Sequence, residues 1–330
     1  ANPSHTYTST GVFQATLTVS DGRGRSNTDS VQIAVGGNSP VATIETPVDE
    51  ARYRDGDTIT LRGSATDADD GALPAARLRW NVVLFHGSHI HQVGDFEGVA
   101  QASFEALRDH DSDSYYEITL RAADSDGLVG TRTIQIRPET VPLSLRSEPA
   151  GAPLSYGGAA VTAPFDNAAA IGFRTTISAA EGFTSDGRPF VFDAWSDGGA
   201  RSHELTVPAT ATTLTARYLE IKSTGRPATA SSSEAGADPR NAVDGDGATR
   251  WSSAYADDQW WQVDLGSARQ VSAVELDWEA AYASSYEILT SLDGVNFAPA
   301  QQVALLAPGT HRASFAVRSA RYVRVRALQR

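Results

Sequence analysis

The sequence predicts an all-β protein built of several β-sandwich modules in tandem. Three observations lead there. Short stretches alternate apolar and polar residues, as in "FQATLTVSDGRG", "DTITLRGSATDADDG" and "YYEITLRAADSDG". Gly, Asp, Asn and Pro break these stretches at regular intervals, which is the rhythm of strands and turns. Helical periodicity is nearly absent, with "GVAQASFEALRDH" and "DPRNAVDG" as the modest helical candidates. At 330 residues the chain is too long for one ordinary core, so two to four domains are expected.

Composition narrows the function classes. Hydrophobic residues make up 41% and charged residues 20%, as in a folded globular chain. There are 27 basic and 40 acidic residues, a net charge of −13, which argues against nucleic acid and anionic membranes as partners. Acidic loops suit calcium or a polar neutral ligand better. The absence of cysteine excludes disulfides, thiolate chemistry and Cys-ligated metals. The sequence also lacks methionine, position 1 included, so the N-terminus is expected to be processed or cut. No apolar run reaches the roughly 18 residues of a membrane span, and no signal peptide opens the chain.

The modules can be taken in order. Residues 1–38 offer three strands around an "SDGRG" turn. The stretch "HTYTSTGVFQATLTVSDGRGRSNTDSVQIAV", His5 to Val35, resembles the C-terminal half of a polycystic-kidney-disease (PKD) repeat. That resemblance implies part of an immunoglobulin-like sandwich whose front strands are missing. "GGNSP" (36–40) is a linker, bent by Gly-Gly and ended by Pro40. Residues 41–138 form a second immunoglobulin-like candidate, and 141–220 a small all-β module. The latter contains "FDAWSDGGARSHELTVPATATTLTARY", which resembles a recurring extracellular β-module. This order resembles the tails of bacterial secreted enzymes, notably sugar dehydrogenases, and carries no active site with it. "KSTGRPATASSSEAG" (222–236) is a polar linker into the last domain, 225–330.

That last domain holds the most specific chemistry. Small hydroxylated ligands need hydrogen-bonding groups beside an aromatic face. Arg250 offers a rigid fork of donors, Glu234 and Glu279 offer acceptors, and Tyr255 a ring with a hydroxyl. The motifs "NAVDGD", "TRW", "WQVDLG", "ELDWEAAY" and "RYVRV" occur in an order that resembles a discoidin-type (coagulation-factor C-type) domain, and more narrowly a family 32 carbohydrate-binding module. The resemblance implies a jelly-roll sandwich with binding loops at one end. In the chitosan- and glucan-binding branch of that family, the positions matched by Glu234, Arg250, Tyr255 and Glu279 grip a terminal sugar. Two carboxylates around one sugar would suit an amino group. The resemblance also implies a calcium site, with Asp244 and Thr249 giving side-chain oxygens and Asn241 and Asp246 giving carbonyls. The family completes that site with a later Glu, and adds an aromatic beside the sugar. This chain stops at "YVRVRALQR", before that segment, so shell and pocket are both expected to be incomplete. The polar loops "SEAGADPR" and "SSAYADDQ" speak against membrane insertion. Trp251, Trp260 and Trp278 are read as core residues.

Two further constellations stand apart. "FHGSHIHQV" brings His86, His89 and His91 close in sequence, with His110 further on. His89 and His91 share a strand face, which fits a transition-metal site; the alternative is polar loop histidines bonded to backbone. "DADDG" (67–71) and "DSDG" (124–127) read as solvated acidic turns. No G-x-S-x-G elbow, H-E-x-x-H helix or phosphate loop occurs. The expectation is therefore a non-catalytic, carbohydrate-binding and spacer region of a secreted bacterial carbohydrate-active or sugar-oxidising enzyme. Its partners would be a polysaccharide or oligosaccharide, and an upstream catalytic domain in the parent chain. Two alternatives remain open: a cell-surface adhesin binding protein or host glycan, and a metal-dependent enzyme using the histidine cluster.

Overall fold

The computed structural model describes residues 3–9 and 11–329. Positions 1, 2, 10 and 330, which belong to the expected first and last modules, lie outside the described residues. Among the described residues every regular element is a strand, apart from two short 3₁₀ turns, Ala75–Arg77 and Pro239–Val243. The protein is all-β with several sheets. Two compact units divide it: residues 1–181 with 192–217, and residues 182–191 with 218–330. The hairpin of Gly182–Ser185 on Arg188–Trp195 thus starts in the second unit, although it sits inside the expected 141–220 module.

The first unit opens with a two-stranded sheet, Gly11–Ser20 antiparallel to Ser26–Val35. Asp21 closes its turn by accepting from the Arg23 and Arg25 amides. Leu17, Val19 and Val31 stay exposed on it. A sandwich follows. One sheet runs in the order Arg52–Tyr53, Val129–Pro138, Ser114–Ala123, Leu78–His86, His89–Glu97. The other is built on Thr58–Asp67, which pairs with Val41–Thr46, Gly71–Ala72 and Gln101–Glu105.

Strict alternation makes this core. In Leu78–His86 the buried positions are Leu78, Trp80, Val82 and Leu84, and in Ser114–Ala123 they include Tyr116, Ile118 and Leu120. They meet Leu61, Ala65 and Phe104 of the facing sheet. Each fully buried large apolar side chain contributes about 1.5–3 kcal/mol. Trp80 also donates its indole N–H to the Val99 carbonyl at 3.1 Å. The helical expectation for 98–110 fails here. The segment is the strand Gln101–Glu105 and a loop, and Ala102, Phe104 and Ala106 turn inward with a period of two, which a helix cannot provide.

Residues 140–181 and 192–217 of the same unit form another two-sheet module. Thr140–Glu148 pairs antiparallel with Phe165–Ala170 and parallel with residues 212–217. The second sheet is Ala159–Thr162, Pro153–Tyr156, Arg174–Ala179 and Ser202–Thr206. The joint to the preceding sandwich is hydrogen-bonded. The Asp111 carboxylate accepts from Tyr156 Oη (2.8 Å), Asn167 Nδ2 (2.9 Å) and the Ala170 amide (2.9 Å). The Arg174 amide donates to the Arg108 carbonyl at 2.7 Å, and the Asp55 amide to the Ile171 carbonyl at 2.9 Å.

In the second unit a five-stranded sheet runs Ala228–Ala230, Trp260–Trp278, Gly309–Gln329, Ser285–Ser291, Ala298–Ala304. Part of the expected 222–236 linker is therefore a strand. The two longest strands pair along most of their length, with register shifts between Asp264 and Arg269 and between Val271 and Ala273. Trp261, Val263, Leu265, Tyr286, Ile288, Val323 and Val325 fill the core. Asp264 and Arg321 form a two-point ion pair (2.9 and 2.8 Å), which holds the Asp264 carboxyl down at about 2.

Candidate functional site

Residues 231–259 connect strand Ala228–Ala230 to strand Trp260–Trp278 and carry Glu234, Arg250 and Tyr255. The connection is clamped from both sides. Asp238 caps the turn Pro239–Val243 by accepting from the Arg240 amide, and its side-chain bonds with Arg240 hold its carboxyl at about 2. Trp261 donates its indole N–H to the Pro239 carbonyl at 2.8 Å, and Val243 is buried. Trp251 packs against the core and donates its indole N–H to the Ser232 carbonyl at 3.0 Å.

With Trp251 pointing inward, its neighbours are held outward. The Glu234 amide donates to the Ser252 carbonyl, and Ser252 Oγ donates back to the Glu234 carboxylate, both at 2.9 Å. The Ala254 amide donates to Ser232 Oγ at 2.9 Å, and Ser232 in turn hydrogen-bonds Gln259. Glu234 is thereby zipped to the segment that bears Arg250 and Tyr255. Arg250 is exposed, and Tyr255 is 87% exposed. Glu279 stands on a separate turn, just after strand Trp260–Trp278, where its carboxylate accepts from the Ala281 amide at 3.1 Å. The structure therefore ties three of the four expected sugar contacts into one hydrogen-bonded loop and holds the fourth by its own turn.

The oxygen-rich residues lie in the same connection. Thr249 Oγ1 has three oxygens around it: Asp244 Oδ2 at 2.7 Å, the Asp246 carbonyl at 3.1 Å and the Asn241 carbonyl at 3.3 Å. One hydroxyl hydrogen cannot serve three acceptors. The Asp246 amide and the Thr249 hydroxyl hold the Asp244 carboxyl below its ordinary range. Asn241 Nδ2 donates to the Arg250 carbonyl at 3.2 Å, which joins this oxygen cluster to the first residue of the exposed segment.

The other expected positions fall as follows. Donor atoms of His86, His91 and His110 converge within 4.8 Å of one another, whereas His89 is not one of the three. The two acidic turns are more than solvated loops. Asp70 accepts from the amide and hydroxyl of Ser125 (2.7 and 2.9 Å), so one turn is tied to the other, and Asp69 holds Asn38 of the "GGNSP" linker. Among the three tryptophans read as core, Trp251 and Trp278 do pack on it. Trp260 faces the other way and stacks on Arg324, whose guanidinium carbon lies 4.3 Å from its ring centre and 3.9 Å from that of Phe297. The buried member of the pair is Trp261, 7% exposed, which the sequence reading did not single out. Its signal was the alternation Trp261, Val263, Leu265 against Trp260, Gln262, Asp264.

Comparison with known proteins bears on both ends of the chain. Similar solved structures include chitosan-binding module 1 of a chitosanase/glucanase from Paenibacillus sp. IK-5. It is 42% identical, with 33% of this chain and 86% of that one covered and a TM-score of 0.32. The family 32 module of C. perfringens NanJ in complex with galactose is 24% identical, covering 31% and 82%, with a TM-score of 0.29. A curated relative, the polysaccharide lyase 8 family protein HylA of Enterococcus faecalis, is 45% identical over 56 residues. Those residues are 17% of this chain, which spans only 4% of that relative's length. The PKD domain model matches residues 1–35, and the F5/8 type C domain model matches residues 227–330, the segment that contains both the Glu234–Arg250–Tyr255 loop and the oxygens around Thr249.

Proposed function

We propose that this chain is a non-catalytic, sugar-binding and spacer region of a secreted carbohydrate-active or sugar-oxidising enzyme. The observation that carries this reading is the pinned loop that exposes Tyr255 (87%) and Arg250 in one connection and ties Glu234 to that segment through Ser252. Sugar rings dock on an aromatic face while planar donors and acceptors read their hydroxyls. The ligand is the end of a polysaccharide such as chitosan or β-glucan, with Glu234 and Glu279 favouring an amino sugar. The family-model match over 227–330 and the polysaccharide-lyase relative support it. Holding an appended catalytic domain beside an insoluble chain raises its effective substrate concentration without new chemistry. That catalytic domain lies upstream in the parent chain.

Calcium belongs to the same proposal. The residues present fit a hard cation: Asp244 Oδ2 and the Asn241 and Asp246 carbonyls all lie within 3.3 Å of Thr249 Oγ1, more acceptors than its single hydroxyl hydrogen can satisfy. An ion there supplies structural charge and fixes the segment leading to Arg250.

Glycan-array and calorimetric binding of the chain test the reading. Chitosan or β-glucan ends should bind, and Arg250→Ala and Tyr255→Ala should each weaken binding by about tenfold or more, about 1.4 kcal/mol, with the fold intact. Failure to bind any glycan at millimolar concentration refutes the sugar reading, and binding confined to protein ligands replaces it with adhesion. For the ion, calcium should raise the midpoint of thermal unfolding and a chelator should lower it, an effect that Asp244→Asn removes.

A further inference from the structure

The first sandwich of the 41–138 region carries a second cluster, remote in sequence from the sugar loop. Strands Leu78–His86 and His89–Glu97 form a hairpin whose last register pair is His86 opposite His89, closed by two residues with Gly87 at φ 49°. His91 lies two residues on and therefore on the same face. Its ring is nearly parallel to that of His86, with centroids 5.1 Å apart and 10° between planes. His110 arrives from the loop after strand Gln101–Glu105 and meets both rings edge-on, 4.4 Å from His86 and 4.9 Å from His91.

The nitrogens point at each other. His86 Nε2 and His91 Nε2 are 3.1 Å apart, and a donor nitrogen of His110 lies within 4.8 Å of both. Two ligands at about 2.0–2.1 Å from a tetrahedral zinc ion are separated by about 3.3 Å. The His86–His91 pair already has that spacing, and the third ligand atom stands within 4.8 Å of both. Without an ion, one Nε2–H donates to the other Nε2; a bound cation would take the place of that shared proton and accept both lone pairs. The His110 side chain is 9% exposed, and its Nδ1 is buried 2.7 Å from Asp109 Oδ1 without the alignment of a hydrogen bond. A carboxylate beside a ligating imidazole is the usual outer partner of such a ligand.

We propose that His86, His91 and His110 form a three-imidazole site for a first-row divalent ion, zinc or copper(II), that braces the loop between strands Gln101–Glu105 and Ser114–Ala123, which docks on the following module. Neutral nitrogen donors select these borderline ions over calcium or magnesium. The bracing follows from position: the residue after His110 is Asp111, whose carboxylate holds Tyr156, Asn167 and Ala170 of the following module. An ion on His110 fixes the loop from one side while Asp111 fixes it from the other.

The test uses the tag-free chain, dialysed against a chelator and titrated with zinc chloride and then copper chloride by calorimetry. One equivalent should bind and raise the thermal midpoint. His86→Ala, His91→Ala and His110→Gln should each weaken binding by about tenfold or more. His5→Ala, at an exposed histidine of the N-terminal segment, should leave it unchanged. Circular dichroism verifies the fold of each variant, and the exposed His91 keeps the test decisive if His110→Gln misfolds. No stoichiometric uptake of either metal by the wild type overturns the site. So does uptake that survives in a folded His91→Ala variant.

Discussion

Two adjacent tryptophans do opposite work in the C-terminal domain. Trp261 enters the core and ties down Pro239, while Trp260 stacks outside on Arg324. Trp261→Ala should therefore cost about 3–5 kcal/mol, as a large core deletion does. Trp260→Ala should cost about 1 kcal/mol, the worth of a partly exposed cation–π contact. Urea unfolding followed on the C-terminal domain separates the two, and equal costs would contradict the assignment. The alternation of Trp260 with Gln262 and Asp264, and of Trp261 with Val263 and Leu265, carried this distinction, although Trp260 rather than Trp261 was expected in the core. The inward turn of Trp251 also follows from an apolar residue set between Arg250 and Ser252. The Ser252 bonds that zip Glu234 to the exposed segment were not legible, since they join residues eighteen apart through a loop without periodicity.

Between elements, close sheet packing sets the limits. Gly63 lies where a Cβ would come within 2.7 Å of Leu120 Cδ2 and the Thr43 carbonyl, and 2.9 Å of Trp80. Gly63→Ala should destabilise by about 1–3 kcal/mol through overpacking. A shift in the urea midpoint measures it, and an unchanged midpoint would show that the strands part at little cost. The strands themselves could be read from the alternation of their residues. The exception is 98–110, where Ala, Leu and Glu suit a helix by composition but Ala102, Phe104 and Ala106 are buried alternately. Propensity is a weak preference, and burial against Tyr116 and its neighbours decides. The histidine site shows the same limit: His86 and His91 follow from hairpin pairing, but the approach of His110 depends on a loop path that the sequence does not encode visibly.

On the scale of the whole molecule, acidic groups concentrate at the joint within the first unit. Asp55 is 5% exposed, and burial, with Asp111 as the next cause, pushes its carboxyl up to about 7. Asp109 and Asp57 push the same way, Arg108 opposes them, and Tyr53 and Tyr116 feel its charge. In the unfolded chain an Asp titrates near about 4. Between about pH 4 and about pH 7 the folded state thus holds an extra proton, so stability should fall as pH rises through that window and level off above it. Asp55→Asn should flatten this slope in thermal unfolding measured across the range; an unchanged slope would place the titration elsewhere. No pattern in the sequence announces this pair, because Asp55 and Asp111 are brought together only by the closure of the sandwich.

The Asp111 latch also bears on how such a chain can be inherited. Modules shuffle freely in evolution when a cut between them leaves both surfaces self-sufficient. A cut near residue 139 would strip the Tyr156 hydroxyl, Asn167 and the Ala170 amide of their shared acceptor, and would leave a carboxylate with three missing donors. The two sandwiches of the first unit are in this respect one heritable cassette, to be transplanted or engineered as a pair.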